Sequence, residues 1–572
     1  MYRTGRLGRV FGMAVVAVTL QCAAALAPAA NPAHAQTATP TPPYLANFPN
    51  FAPAVTPKMP GDVDIALKTR LEKAKEFARV QREFDLNAWQ MFLALNWPTN
   101  NQGKAAPSLE DTSFGPPHWT LWHNSSTIFQ DNGATPQACG RSIAALGLTL
   151  SRNLARPVSR GLPPFRLTAN AAANPRTTRY LGVVSAVGEL NAANLGSDIQ
   201  QAFTGPLIDQ NGNFVFYEII IDPNEVNYLC ANKLYNINGQ VAFTGNGGKV
   251  DMPIGHPNQD WSGSFELKFA WKILGPKDDA SRFFVQDALV MDQGPDGKPL
   301  QRAVKVGLVG MHIGHKSETS PQWIWATFEQ VDNLDVDPVA HPNLHASFND
   351  PNCPICATNI QPVATNGVYP RIPVQVARTI PIPKDKIALN AQVAAALGKS
   401  KSVWQYYELI DTQWPTDPTS APPAWNSGLS QAVANKPGGQ PTPVFLTNIT
   451  METYFQAGNQ PACNQEEGVP QSANCPPVYN RQVPGTAIAA YTPAPPFWTS
   501  TLNNGSAPVL PGISTQVLAT ESCMGCHSSA GVWTSYNPQV PRSQQASNAQ
   551  SGQLTGDFSW LLTQKASWAP TP

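Results

Sequence analysis

The sequence has 572 residues, enough for several domains, and 42% of them are hydrophobic, which is ample for a folded core. Its 38 basic and 38 acidic residues balance, and no basic block occurs, so composition gives no electrostatic support for nucleic-acid binding. The 56 prolines and 41 glycines argue against long helices over most of the chain and favour short strands and stiff loops.

The N-terminus has the pattern of a secretory signal peptide. Three arginines flank the start of an apolar run, VFGMAVVAVTL, and the small-residue pattern PAHAQ predicts cleavage after Ala35. The run is too short for a comfortable membrane span. A lipoprotein signal ending at Cys22 is the alternative, but Gln21 stands where such a signal carries a small residue. We therefore expect a periplasmic protein whose mature chain has no membrane span.

The first predicted elements of the mature chain are a lead segment and a helix. Residues 36–60 are rich in proline and alanine and predict an extended lead segment. Apolar residues then recur at helical spacing over 63–97, which predicts one long helix. Asp62 or Asp64 would cap this helix, and Pro98 would end it.

Strand patterns dominate the middle of the chain. RYLGVVSAVG and GNFVFYEIIID predict strands, and DPNEVNYLCANKLY predicts a helix capped by Asp222. Four alternating stretches follow in succession and are typical of an antiparallel meander that curls into a sandwich or barrel: SFELKFAWKIL, RFFVQDALVMD, RAVKVGLVGMHIGHK and QWIWATFEQV. A short helix at KIALNAQVAAALG and a strand at SVWQYYELI complete the pattern before proline-rich loops.

These elements predict an α+β fold with an N-terminal helix, a β-rich antiparallel middle and a C-terminal segment made mainly of helix and loop. The expected organisation is a signal peptide over 1–35, the lead segment over 36–60, a mixed body with a β-rich core over 61–440 and a functional C-terminal region over 441–572.

The strongest chemical motif is Cys523-Met-Gly-Cys526-His527. Cysteines at positions i and i+3 reach both vinyl groups of a haem, and the adjacent histidine becomes an axial ligand of the iron. A thioredoxin-type dithiol would need a βαβ unit, which the 45 residues after His527 do not supply. A zinc site would need further Cys or His ligands, and none follows. The motif predicts one covalent haem c, in agreement with export, because bacteria attach c-type haem outside the cytoplasm.

The same residues resemble a known family. SCMGCHSSAG, followed by GDFSWLL, looks like the haem segment of bacterial c-type cytochromes. The blocks WQMFLALNWP, WIWATFEQVDN and ITMETYFQ resemble large, mostly uncharacterised periplasmic proteins of the cytochrome c family. The resemblance implies a periplasmic monohaem protein with a cytochrome c-like haem-binding region over 441–572, in which Cys523, Cys526 and His527 hold the haem. It names no reaction.

The second axial ligand is left open by the sequence. Small cytochromes c use a methionine downstream of the motif, but no Met or His follows His527. The distal candidates therefore lie upstream: Met451, His315, His312 and Met311, with His341, His345, His118 and His123 as weaker ones. If the strand through GMHIGHK stays extended, Met311 and His315 share one face and His312 lies on the other. An open sixth position is the remaining case.

Axial ligation separates the functional classes. A six-coordinate haem is an electron carrier, whereas an open site allows an oxidoreductase or peroxidase-like enzyme acting on a small oxidant or an organic substrate. We expect electron transfer with a periplasmic redox partner, and the haem enzyme is the alternative, favoured by a body larger than a carrier needs. A carbohydrate- or partner-binding β protein with a vestigial haem is a third class.

Six other cysteines suit disulfides in an oxidising compartment: Cys139, Cys230, Cys353, Cys356, Cys463 and Cys475. Only 11 turn-rich residues separate the last two, which predicts a bridge between them. Cys353 and Cys356 would bridge each other or more distant partners, and Cys139 with Cys230 is the pair that remains.

Overall fold

The fold is described by a computed structural model. It covers residues 55–140, 176–182, 205–294, 297–336, 341–415 with short gaps between 354 and 381, 448–453, 523, 527, 530–540 and 556–569. The predicted signal peptide and most of the predicted lead segment lie outside these residues. All described residues belong to one unit that spans residues 43–572.

The predicted N-terminal helix is in fact two helices, α1 over Ile65–Lys73 and α2 over Phe77–Leu95. Asp64 is the cap of α1 and accepts a hydrogen bond from the backbone N–H of Leu67. The prediction of one continuous helix was wrong because Lys75 adopts the left-handed conformation, with φ of 58°. Lysine and its neighbours favour helix intrinsically, so no local signal marks this break.

Within the described residues, eight strands form one mixed, curled sheet. In chain order they are β1 (His123–Asn124), β2 (Thr178–Leu181), β3 (Val215–Ile221), β4 (Phe265–Ile273), β5 (Val285–Gln293), β6 (Pro299–His315), β7 (Ile324–Gln330) and β8 (Tyr407–Gln413). The spatial order is β1-β3-β4-β6-β5-β2, with β7 paired to β6 and β8 paired to β7.

The four predicted middle strands all occur, but the expected antiparallel meander was wrong. β4 pairs with β6 rather than with β5, and β2 joins β5 in parallel. The 17-residue β6 has β4 along one edge, while β5 and then β7 share its other edge. This arrangement depends on the length of β6, and alternation within single strands does not reveal which strands pair.

The remaining helices are α3 (Ser125–Ile128), α4 (Pro223–Ala231), α5 (Ile237–Gly245), α6 (Lys384–Gly398) and α7 (Leu561–Gln564). Asp222 caps α4, as the sequence predicts, by accepting hydrogen bonds from two backbone N–H groups. The predicted strand near residue 403 begins with a 3-10 turn, and β8 starts only at Tyr407.

Two apolar clusters pack against the sheet. In the first, α2 packs on the sheet, and the ring of Phe92 stacks on that of Phe328 at 4.3 Å. The second contains residues of α4, α5 and the C-terminal segment around Trp323 and Trp325. Side chains alternate along β6, so Met311 and His315 lie on one face of the sheet and His312 lies on the other. This confirms the prediction made from the sequence.

Candidate functional site

His527 packs against the sheet, and its contacts show which of its two ring nitrogens carries the proton. Its ring centroid is 4.3 Å from that of Trp325, and its Nδ1 lies 2.7 Å from the carbonyl oxygen of Phe558. Because a carbonyl oxygen only accepts hydrogen bonds, Nδ1 carries the proton. Burial, followed by nearby positive charge, lowers the pKa of His527 to about 4. The ring is therefore neutral near neutral pH, and Nε2 keeps a lone pair that can bind a metal.

Cys523 and His527 both have helical backbone conformation. Cys523 is half-buried and packs against the second apolar cluster. That cluster is rich in aromatic side chains, among them the buried Trp325, Trp533 and Phe558.

Three charged or titratable side chains act on the ring of His527 from the same face of the sheet. His312 on β6 is the cross-strand neighbour of Lys268 on β4. The Nε2 atom of His312 lies 3.5 Å from Oε2 of Glu452. Electrostatic effects of all three side chains reach the imidazole of His527. Burial alone would raise the pKa of Glu452, but His312 and then Lys268 hold it below its usual value, so this carboxylate is ionised.

The short segment 448–453 positions Glu452 over the sheet. The side-chain amide of Asn448 donates a 3.0 Å hydrogen bond to the hydroxyl of Thr327 on β7. The hydroxyl of Tyr217 on β3 donates a 2.6 Å hydrogen bond to the carbonyl oxygen of Thr450. The segment is thus bonded to two different strands, and Glu452 comes from a backbone that the sheet holds in place.

Two glycines of β6 flank His312 on its face of the sheet. Gly310 and Gly314 share its face because side chains alternate along a strand. A Cβ atom added at Gly310 would lie 2.1 Å from the hydroxyl oxygen of Thr450. One added at Gly314 would lie 3.3 Å from the ring of Trp325. Glycine at these positions therefore allows both the C-terminal segment and the tryptophan to approach the strand closely.

The structure separates the four distal candidates. Met311 belongs to the first apolar cluster, on the α2 side of the sheet. His315 lies on that side too, stacked at 3.8 Å on a buried phenylalanine ring. Met451 packs in the first cluster too, but its segment 448–453 is bonded to Thr327 on the same face of the sheet as His312. Of the two titratable candidates, His312 is the one that acts electrostatically on His527.

The weaker histidine candidates lie elsewhere. His118 is stacked on the ring of Trp261 at 3.7 Å. His123 is buried on β1, where burial lowers its pKa to about 4. His341 and His345 are exposed on a loop.

Two of the predicted cysteine pairs are bridged. Disulfides join Cys139 to Cys230 and Cys353 to Cys356. The first ties the turn after α3 to α4, beside the second apolar cluster. The predicted disulfide between Cys463 and Cys475 and the predicted haem-binding Cys526 lie outside the described residues.

Sequence reasoning missed three residues of the site. Lys268 occupies a polar position in the alternating stretch of β4, and this periodicity could have placed it on the same face as Trp325. Glu452 follows Met451 without any local pattern, and only the fold brings it to His312. The carbonyl group of Phe558 carries no sequence signal, since every residue has one.

Within the described ranges, no group of three or more His, Cys, Asp or Glu side chains could hold a metal ion. A haem iron needs fewer protein ligands, because its porphyrin supplies the rest. No helix among the described residues is long and apolar enough to cross a membrane. No protein-family model, curated protein or solved structure matches the chain. The resemblance to c-type cytochromes therefore rests on the sequence motifs.

Proposed function

We propose that this chain is a periplasmic c-type cytochrome that transfers electrons through one covalently bound haem. Cys523 and Cys526 would form its thioether bonds, and His527 would bind its iron. The observation that carries the proposal is the state of His527, which is neutral, donates from Nδ1 to the carbonyl of Phe558 and keeps Nε2 available. A histidine that ligates a metal usually donates its other ring N–H in this way.

A bound haem c supplies a one-electron redox site whose potential depends on its axial ligands and on nearby charge. The residues of this chain hold and tune it. The carbonyl of Phe558 fixes the tautomer and the orientation of His527, and Trp325 packs against its ring. The apolar cluster limits the access of water, and Glu452 and Lys268 place opposite charges nearby.

Two features support an oxidising compartment outside the cytoplasm. The N-terminal pattern ending at Ala35 is that of a signal peptide. The two disulfides, Cys139 with Cys230 and Cys353 with Cys356, are of the kind that persists in exported proteins. A redox protein of the same compartment is then the electron-transfer partner.

A haem stain after denaturing electrophoresis tests the proposal. The wild-type chain, expressed with its signal peptide and the haem-attachment machinery, should keep its haem through denaturation. The double variant C523S/C526S should lose the stain, because thioether bonds can no longer form.

The chain contains its own matched control. Cys353 and Cys356 have the same spacing but no histidine after them. The variant C353S/C356S should therefore keep the full stain. A wild-type protein without covalent haem would refute the proposal.

A further inference from the structure

We infer that the cavity at the end of β7 binds a small aliphatic ammonium ion. This site goes beyond the proposed function and does not depend on the haem. It is built from hydrogen-bond acceptors that line an opening to solvent.

The cavity lies where the end of β7 meets β8 and α6, and its volume is about 230 Å³. Glu329 of β7, Glu408 of β8 and the turn that follows β7 supply its polar surface, and Ile382 and Ile387 supply apolar surface. Ile387 is 52% exposed, so the cavity opens to solvent beside α6. Pockets for drug-sized ligands measure about 300–1,000 Å³, so this cavity suits a smaller molecule.

Negative charge exceeds positive charge in the lining. The carboxyl groups of Glu329, Asp335 and Glu408 line the cavity, and Arg378 is the cationic side chain among the described lining residues. Arg378 donates a hydrogen bond from Nη2 to Oε2 of Glu329, and it also acts electrostatically on the other two carboxyl groups. Glu408 lies directly opposite Glu329 across the two strands, which is unfavourable for two like charges. One guanidinium group therefore serves three carboxyl groups, and a second cation would balance the site.

Two oxygen atoms of the turn after β7 have no hydrogen-bond partner in the described structure. They are Oδ1 of Asn333 and Oδ1 of Asp335, and both atoms are buried. Asn333 is only 2% exposed, and its Nδ2 donates a 2.8 Å hydrogen bond to the carbonyl oxygen of Val309, which fixes the amide group. Buried polar atoms normally have a partner, so these two oxygens require a donor from outside the described chain.

An ammonium group matches this lining, because it has a positive charge, three N–H donors and no acceptor. A bare metal ion does not match, since no three His, Cys, Asp or Glu side chains of the described residues are grouped to hold one. The alkyl chain of an amine would pack against Ile382 and Ile387, with its charged end at the carboxyl groups. The ligand class is therefore a primary aliphatic amine of a few carbons in its protonated form.

Titration calorimetry of the purified protein with n-butylammonium chloride tests the inference. We expect saturable binding with a Kd on the order of 1 mM, because so small a ligand makes few contacts. 1-Butanol has the same chain without the charge and should not bind measurably.

The affinity should also depend on pH. Burial raises the pKa of Glu408 to about 7; Arg378 opposes this shift, and Glu329 and Asp335 add to it. The amine stays protonated across this range, so binding should be several-fold tighter at about pH 8 than at about pH 6.

Glu408→Gln and Asp335→Asn should each weaken binding about tenfold, and Glu408→Gln should also abolish the pH dependence. Both changes keep the shape of the side chain, and circular dichroism should confirm that the variants fold. Glu318→Gln is the matched control, because Glu318 is 54% exposed and pairs with His256 outside the cavity.

The inference is wrong if n-butylammonium shows no saturable binding, if 1-butanol binds equally well, or if Glu408→Gln and Asp335→Asn keep the wild-type affinity. The haem stain has no part in this measurement, so a failure of the proposed function would leave its result unchanged.

Discussion

The two formal charges that act on His527 have opposite signs, and each should tune the proposed haem in its own direction. Glu452 is an ionised carboxylate with 17% of its side chain exposed, so solvent screens it only partly. A negative charge favours the oxidised, more positive state of the iron, whereas the ammonium group of Lys268 opposes it. The effect is Coulombic and requires no contact with the iron.

We expect Glu452→Gln to raise the reduction potential and Lys268→Gln to lower it. For a charge several ångströms away at an effective dielectric constant near 20, each change corresponds to about 1–2 kcal/mol. A redox titration followed by absorbance measures both shifts. Lys305→Gln is the control, since this lysine is on the same strand as His312 but 67% exposed and paired with Asp287. Shifts of the same sign for Glu452→Gln and Lys268→Gln would contradict the argument.

At the scale of elements, Glu83 joins α2 to the start of α1. Its Oε1 atom accepts a 2.9 Å hydrogen bond from the backbone N–H of Asp64, while its Oε2 is buried without a hydrogen-bond partner in the described structure. Burial, and then the charge of Asp64, raise the pKa of Glu83 from its ordinary value of 4.5 to about 8. The folded protein therefore retains a proton that the unfolded chain releases.

We expect the stabilising contribution of this proton to be full below pH 4.5 and to be lost as the pH rises to about 8. Glu83→Gln removes the titration but keeps an oxygen for the N–H of Asp64. Relative to wild type, the variant should gain up to about 1.4 kcal/mol of unfolding free energy per pH unit across this window. It should be the more stable protein above pH 8. Urea unfolding at a series of pH values measures the difference.

The control for this experiment is Glu76→Gln. Glu76 lies at the N-terminus of the same helix, but it is 41% exposed and paired with Arg79. This variant should follow the wild-type pH profile. A constant difference between Glu83→Gln and wild type from acid to alkaline pH would show that Glu83 does not titrate as proposed.

Local patterns predicted the elements better than their arrangement. The cap at Asp222 and the face of His312 both follow from short stretches, because capping and strand alternation are local effects. The break between α1 and α2 at Lys75 could not be predicted in this way, because its left-handed backbone opposes the helix preference of the residues around it. The pairing of β4 with β6 was also missed, since strand partners are chosen by long-range packing.

The candidate site was predictable only in part, for the same physical reason. Cys523 and His527 stand in a motif whose spacing is itself the signal. The contact of His312 with Glu452, and the bond from His527 to Phe558, join distant parts of the chain. Strand alternation predicted that His312 and Met311 lie on opposite faces of β6. Only the folded structure shows that His312, and not Met311, lies on the same side of the sheet as His527.

At the scale of the whole molecule, the two disulfides differ greatly in the loops they close. Cys139 and Cys230 are 91 residues apart, whereas Cys353 and Cys356 are three apart. A cross-link restricts the unfolded chain more when its loop is longer. In the chain-entropy model the long loop corresponds to about 5 kcal/mol and the short one to about 2 kcal/mol. The long-range disulfide should therefore contribute more to stability.

We expect C139A/C230A to lower the unfolding free energy by roughly 2–5 kcal/mol, and C353A/C356A by about 2 kcal/mol or less. Denaturant unfolding of both variants and of wild type measures the two losses. The first variant should also weaken the layer that carries His527, because Cys139 and Cys230 pack against the second apolar cluster. Its haem spectrum should thus change at lower denaturant concentration than that of C353A/C356A. Equal losses in the two variants would mean that loop length is not what makes the Cys139–Cys230 bond stabilising.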